Sequence, residues 1–159
     1  MTRLPVLPVM LVLALSLALS PAIAEQTRDP AAYFFQDSFN DLSEEAQNAK
    51  DEGKTGVLVM FETDECPWCQ RMKETVLNQA LVQDYFRSHF RVIALNTEGD
   101  ALVTGFDGSE VSETEFALRH NRVRATPAFL FFNTDGQLLT RYTGTTRDPQ
   151  EFLWLGEYV

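Results

Sequence analysis

Residues 62 to 72 read ETDECPWCQRM and contain both cysteines of the 159-residue chain, Cys66 and Cys69. The residues just before them, 57 to 61, are a continuous apolar run (VLVMF), which predicts a strand buried on both faces. From Pro67 onward, apolar residues recur at the four-residue spacing of a helix. The sequence therefore places a C-x-x-C pair between the end of a buried strand and the start of a helix.

The rest of the chain continues this alternation of helix and strand. Polar residues 96–111 interrupt it as an insertion, in which we expect a small hairpin. The order α, β, α, β, α, β, β, α predicts an α/β fold with a central mixed β-sheet flanked by helices on both faces. The other predicted elements are helices that begin after the capping residues Asp41, Asn78, Ser112 and Asp148, and strands over 90–95, 128–132 and 138–143.

The first 24 residues have the pattern of a secretory signal peptide. One basic residue, Arg3, precedes an apolar run from about residue 6 to residue 19, and the small-x-small pattern of residues 22–24 follows. The run is shorter than the ~20 residues that a helix needs to span a bilayer. We therefore expect export to the periplasm with cleavage between Ala24 and Glu25. An uncleaved membrane anchor is the alternative.

Once this segment is removed, the remaining chain has the length of one domain. We assign residues 25–40 to an N-terminal lead-in and residues 41–159 to a single domain. The full sequence has 13 basic and 23 acidic residues, which gives a formal net charge of −10. Such a surface repels the phosphates of nucleic acids, so we expect no nucleic-acid partner.

The two cysteines could form a metal site, a structural disulfide or a redox pair. A zinc site usually takes four ligands, but the chain has no other cysteine. Its two histidines, His89 and His120, lie in separate predicted helices, so we expect no metal. A structural disulfide suits an exported protein, but a bridge that closes so short a loop constrains the unfolded chain little.

A redox pair explains why the first cysteine lies at a strand–helix junction. The dipole and the unpaired N–H groups of a helix N-terminus lower the pKa of a thiol, so Cys66 should be the exposed attacking thiolate. Cys69, one turn further on and more enclosed, should be the resolving thiol. Proline suits the first helical position, and we expect Pro67 and Trp68 to form the rim of the site. Such a redox-active disulfide needs no bound cofactor.

The strand, the C-P-W-C motif, the helix and the Thr-Pro pair in RVRATPAFLFF together resemble the thioredoxin family. The resemblance extends from about residue 41 to the C-terminus and implies a thioredoxin-like fold. It implies that Cys66 is the nucleophile, Cys69 the resolving cysteine and Pro127 a cis-proline. Thr126 would offer backbone hydrogen bonds to a docked peptide. Without the resemblance, Pro127 would be interpreted as a trans proline that begins an edge strand.

Within that family, the chain looks like the exported single-domain thioredoxins called SoxW, which are associated with bacterial sulfur oxidation. The similarity lies in CPWCQRM, VLNQALVQDYF and the EGD…FDG insertion. One departure is Met60, which stands where typical thioredoxins have a buried aspartate that helps to move the proton of the resolving thiol. Glu62, two residues on, is the candidate for that proton transfer, unless it is simply solvated. Together with Asp64 and Glu65, it should also raise the thiolate pKa.

The resemblance implies a periplasmic thiol–disulfide oxidoreductase that acts through a mixed disulfide at Cys66. Its expected partners are disulfide-containing exported proteins, with a membrane thiol transporter of the DsbD type as electron donor. The SoxW-like pattern favours a reductant. The alternatives are a periplasmic disulfide oxidase or isomerase, and a non-catalytic thioredoxin-fold module that only binds peptides.

Overall fold

The computed structural model describes residues 26–159, so the predicted signal peptide, residues 1–24, and its cleavage site lie outside the described residues. Within that range, no helix combines the length and apolar character that crossing a bilayer would require. The elements in chain order are α1 (Pro30–Tyr33), α2 (Leu42–Asp51), β1 (Gly56–Glu62), α3 (Pro67–Thr75), α4 (Ala80–His89), β2 (Phe90–Asn96), β3 (Leu102–Thr104), β4 (Glu110–Ser112), α5 (Glu113–Glu115, continued by a π-helical turn over Phe116–His120), β5 (Ala128–Asn133), β6 (Leu138–Thr143) and α6 (Pro149–Tyr158).

Four strands form the central sheet in the order β2-β1-β5-β6. β1 pairs in parallel with β2, and it pairs antiparallel with β5 so that Phe61 lies opposite Ala128. β5 and β6 form an antiparallel hairpin. β1 lies between two strands and is buried from Gly56 to Phe61, as its continuous apolar run predicts. The predicted mixed sheet is confirmed.

Two hydrophobic cores lie on opposite faces of this sheet, because successive side chains of a strand point to opposite faces. The helices α3, α4 and α6 cover one face, and α2 with the π-helical turn covers the other. The predicted helices on both faces are therefore confirmed. The first core includes Leu58, Met60, Met72, Phe86, Phe131 and Phe152, and the second includes Leu42, Val57, Val59, Phe61, Phe116 and Leu130.

The N-terminal lead-in, for which no structure was predicted, packs against the domain. The ring of Phe34 is fully buried between the aromatic rings of α4 and α6. Two residues further on, the backbone N–H of Gln36 donates to the carbonyl of Val92 at 2.8 Å, and the Gln36 side-chain oxygen accepts from the Val92 N–H. The lead-in thus supplies a core residue and covers the outer edge of β2.

The insertion contains the predicted hairpin, in which β3 and β4 pair antiparallel with Val103 opposite Val111. The helix predicted after Ser112 is also present, since the Ser112 hydroxyl accepts from the Glu115 N–H at 3.2 Å. The prediction that Asn78 caps α4 is wrong. Gln79 holds the capping position without a side-chain hydrogen bond, because the Asn78 side chain donates to the last turn of α3 instead.

Asp41 caps α2, and we expect its replacement by alanine to cost about 0.5–2 kcal/mol of unfolding free energy. Its carboxylate accepts from the Glu44 N–H at 2.9 Å and from the Ser43 hydroxyl at 2.7 Å. The Glu44 N–H lowers the pKa of Asp41 below its ordinary value of 3.8. Because the pKa of Asp41 is lower in the folded than in the unfolded protein, its ionised form stabilises the fold at pH values above the unfolded pKa. This contribution to the unfolding free energy is lost as the pH falls through the folded pKa.

The control for this prediction is Asp41→Asn, which keeps a capping oxygen without the charge. Urea unfolding near neutral pH should give wild type, Asp41→Asn and Asp41→Ala in falling order of stability. Near pH 3, the gap between wild type and Asp41→Asn should narrow, because the wild-type carboxyl takes up its proton. Equal stability of all three proteins at neutral pH would show that the cap contributes nothing.

Candidate active site

Cys66 and Cys69 form a disulfide at the N-terminus of α3. Cys66 is the capping residue, and its Sγ accepts a hydrogen bond from the Cys69 backbone N–H at 3.1 Å. Pro67 occupies the first helical position, where its missing N–H costs nothing. The predicted junction of strand, motif and helix is therefore present, and it aims a helix N-terminus at the sulfur of Cys66.

The two sulfurs differ in their access to solvent. Cys69 is only 2 % exposed and belongs to the core beneath α3, whereas Cys66 is half-buried at its edge. Pro67 and Trp68 are exposed beside them, and Trp68 keeps 58 % of its surface accessible. A partner protein could therefore reach Cys66 but not Cys69.

A second segment of chain meets the disulfide at Thr126 and Pro127. The peptide bond between them is cis, as the resemblance implies, and Pro127 is buried. The Thr126 Oγ1 lies 3.3 Å from the Cys66 Sγ. Since a disulfide sulfur carries no proton, the hydroxyl is the donor. This side-chain contact was not predicted from the sequence, in which only backbone hydrogen bonds were expected of Thr126.

The Thr126 hydroxyl should stabilise a Cys66 thiolate more than it stabilises the disulfide, since a hydrogen bond to a charged sulfur is the stronger one. We therefore expect Thr126→Val to lower the reduction potential of the pair by about 10–30 mV, which corresponds to the loss of one modest hydrogen bond. Equilibration against glutathione measures this. Thr126→Ser keeps the hydroxyl and should keep the potential, and an unchanged potential in Thr126→Val would refute the contact's role.

Glu62 and Lys73 form an ion pair beside the disulfide. The Lys73 Nζ lies 2.6 Å from one carboxylate oxygen of Glu62 and 2.9 Å from the other. Glu62 is 21 % exposed, so it is paired and partly buried rather than freely solvated. Lys73 follows Cys69 by four residues, which places both on one side of α3. Lys73 was not predicted as a site residue, although this spacing from Cys69 is visible in the sequence.

An open cleft of about 580 Å³ brings these groups together. Glu62 and Lys73 line it together with both cysteines, whereas Met60 is fully buried in the core that contains Cys69. The cleft thus offers one partly buried carboxylate, that of Glu62, near the resolving cysteine. Met60 lies deeper, in the core, and has no group that can titrate.

The described part of the chain contains no candidate metal site. Within residues 26–159, no three side chains of histidine, cysteine, aspartate or glutamate come together as a set that could hold a metal ion. Both cysteines are already joined to each other. The chemistry that the arrangement supports is exchange at a disulfide.

Comparison with known proteins agrees with this geometry. Residues 42–159 match the thioredoxin-like domain family. A thioredoxin from Thermus thermophilus is 25 % identical, with 72 % of this chain and 80 % of that chain covered and a TM-score of 0.56. DsbH oxidoreductase (18 % identity, 87 % and 93 % covered, TM-score 0.61) and a thioredoxin-fold protein from Helicobacter pylori (21 %, 79 % and 75 %, 0.60) share the fold. No curated protein matches the chain.

Proposed function

The chain belongs to the thioredoxin-like domain family, and from this we propose that it is an exported thiol–disulfide oxidoreductase that reduces disulfides of exported partner proteins. One observation carries the proposal. The Cys66–Cys69 disulfide caps α3 with only Cys66 accessible, and the Thr126 hydroxyl contacts the Cys66 sulfur. A purely structural bridge would need neither the helix N-terminus nor the hydroxyl of Thr126.

The first step is attack by the reduced protein on a partner disulfide. The Cys66 thiolate bonds to one partner sulfur, the partner S–S bond breaks, and the second partner sulfur leaves as a thiolate that takes up a proton. The Cys69 N–H and the Thr126 hydroxyl, which contact Cys66 Sγ at 3.1 Å and 3.3 Å, hold the attacking thiolate. The dipole of α3 adds to this stabilisation.

The second step releases the partner. Cys69 gives its proton to Glu62 and attacks Cys66 Sγ, so that the mixed disulfide breaks and the Cys66–Cys69 bond forms. The remaining partner sulfur leaves as a thiolate and is protonated. Overall, two electrons and two protons pass from the dithiol to the partner, and the disulfide in the structure is the oxidised product. Lys73 keeps the carboxylate of Glu62 in the cleft between the two steps.

Replacing Glu62 with glutamine should slow the second step by about a hundredfold, the low end of what a positioned base contributes. Glutamine can still accept from Lys73 but cannot take the proton of Cys69. The decay of a preformed mixed disulfide, followed by quenching and mass spectrometry, measures this step alone. The defect should shrink at high pH, where hydroxide removes the proton. Glu74→Gln, at an exposed position of α3 next to Lys73, is the control, and its mixed disulfide should decay at the wild-type rate.

The oxidised pair must be reduced again after each cycle. We propose that a membrane thiol transporter of the DsbD type supplies the electrons, because a periplasmic protein has no access to cytoplasmic reductants. The signal-like residues 1–24 support the location, and the SoxW-like sequence features support the reducing direction. Expected substrates are exported proteins with an accessible disulfide.

A trapping experiment tests the proposal in cells. The Cys69→Ser protein, expressed with its own N-terminal segment, should accumulate mixed disulfides with exported proteins, because the resolving thiol is missing. Alkylation of free thiols, separation of the periplasmic fraction and non-reducing gels would reveal the adducts. The matched control, which carries Cys66→Ser as well, should give none. Absence of adducts in both samples would contradict the proposed exchange, and adducts confined to the cytoplasm would contradict export.

A further inference from the structure

The cleft beside the disulfide carries uncompensated negative charge. Its lining contains the carboxylates of Glu62, Asp64 and Glu65, and Lys73 is the one cation among the described residues that line it. Lys73 is already bound to both carboxylate oxygens of Glu62. Within residues 26–159, neither Asp64 nor Glu65 forms an ion pair. The negative charges of Asp64 and Glu65, next to Cys66, are therefore available to pair with a cation of a partner.

Asp64 is fixed in position by Asn96. Its Oδ1 accepts from the Asn96 side-chain Nδ2 at 2.9 Å. The Asn96 Oδ1 in turn accepts from the Glu98 N–H at 2.9 Å, which orients the amide with its N–H₂ toward Asp64. The Asn96 backbone N–H donates at 3.0 Å to the buried carboxylate of Glu113, so the end of β2 is also tied to the start of α5. The insertion therefore helps to hold Asp64 at the cleft.

Asp64 and Cys66 line the same cleft, so a partner segment that lies in this cleft at Cys66 also comes near Asp64. A second cleft of about 380 Å³ is lined by Thr126, the residue that contacts Cys66, and Thr63 lines both clefts. An extended segment that passes over Cys66 can lie in both. The residues beside its cysteine then come to the acidic cleft, where Asp64 is exposed and already oriented.

We propose that Asp64, positioned by Asn96, selects partner segments that carry a lysine or arginine next to the reacting cysteine. The inference rests on the proposed function and adds to it the chemical character of the preferred partner. An exposed ion pair has a small effect, equivalent to about a two- to fivefold change in rate. Glu65 adds negative charge to the same cleft, but no side chain in the described part of the chain fixes it by a hydrogen bond as Asn96 fixes Asp64.

Three disulfide-linked peptides test this selection, identical except for lysine, glutamine or glutamate next to the cysteine. The reduced protein is mixed with each peptide at low salt, and the second-order rate is measured. We expect the lysine peptide to react at least about threefold faster than the glutamate peptide, and Asp64→Asn to lower this ratio by about two- to fivefold. The asparagine can still accept from Asn96. The ratio cancels any change in the intrinsic reactivity of Cys66, since the same thiolate attacks every peptide.

Asp135→Asn is the matched control, because it removes the same charge at the far end of the sheet. Asp135 is exposed in the turn after Asn133, which pairs with Gly56, whereas Cys66 follows the opposite end of β1. Its lysine-to-glutamate ratio should equal that of wild type. If the lysine-to-glutamate rate ratio is the same in Asp64→Asn and Asp135→Asn, the proposal is overturned. This holds whether the ratio falls in both variants or in neither. Failure of the wild type to react even with the glutamine peptide would instead overturn the proposed function, and the inference with it.

Discussion

Replacing Cys66 with serine is expected to reduce disulfide exchange to the uncatalysed background, the largest functional effect that we predict for a single substitution. Only a thiolate attacks a disulfide at neutral pH, and a serine hydroxyl at the N-terminus of α3 does not ionise there. Cys69 cannot substitute for it, because its side chain is only 2 % exposed.

Cys69→Ser is the matched control, since it removes the same disulfide but leaves the accessible thiol. It should form one covalent adduct per molecule with a model peptide disulfide, in the absence of small thiols, and should then stop. Mass spectrometry of single-turnover reactions distinguishes the three behaviours, which are turnover in wild type, a stable adduct in Cys69→Ser and no adduct in Cys66→Ser. An adduct in Cys66→Ser would contradict the assignment of the nucleophile.

The largest effect on stability is expected for Phe34→Ala, at about 3–5 kcal/mol of unfolding free energy. Phe34 is fully buried, and its ring centroid lies 5.8 Å from that of Phe86 and 6.2 Å from that of Phe152. Truncation removes the buried ring and leaves a cavity between α4 and α6. Denaturant unfolding monitored by circular dichroism would measure the loss.

Phe39→Ala provides the control from the same segment, because Phe39 is 97 % exposed and has no packing to lose. Its unfolding free energy should lie within about 0.5 kcal/mol of wild type. This pair of variants tests whether residues 26–40 belong to the cooperative folding unit, although the family match begins at residue 42. Equal and small effects of the two substitutions would mean that the lead-in rests on the domain without stabilising it.

Elements with a strong local signal could be predicted from the sequence. The apolar run of β1 requires burial on both faces, and the caps Asp41, Ser112 and Asp148 satisfy N–H groups within three residues of themselves. Asn78 was misassigned because its side chain can reach either the helix before it or the helix after it. The packing of Phe34 left no local pattern, because a four-residue helix is too short to show a periodicity.

In the candidate site, too, the features with a local sequence signal could be predicted and the long-range contacts could not. The positions of Cys66 and Cys69 follow from the motif and its strand–helix context. The contact of Thr126 with Cys66 and the hydrogen bond between Asn96 and Asp64 join residues 60 and 32 positions apart. Such contacts depend on strand order and register, which a single sequence does not specify. The sequence therefore showed which chemical group each site residue carries, but not which of these groups contact one another.

The most direct test of the central claim is the reduction potential of the Cys66–Cys69 pair, measured by equilibration against glutathione redox buffers. A reductant of exported proteins should have a potential close to that of thioredoxin, about −270 mV. A potential near the about −120 mV of DsbA would show a disulfide donor instead, and would contradict the proposed direction of electron flow.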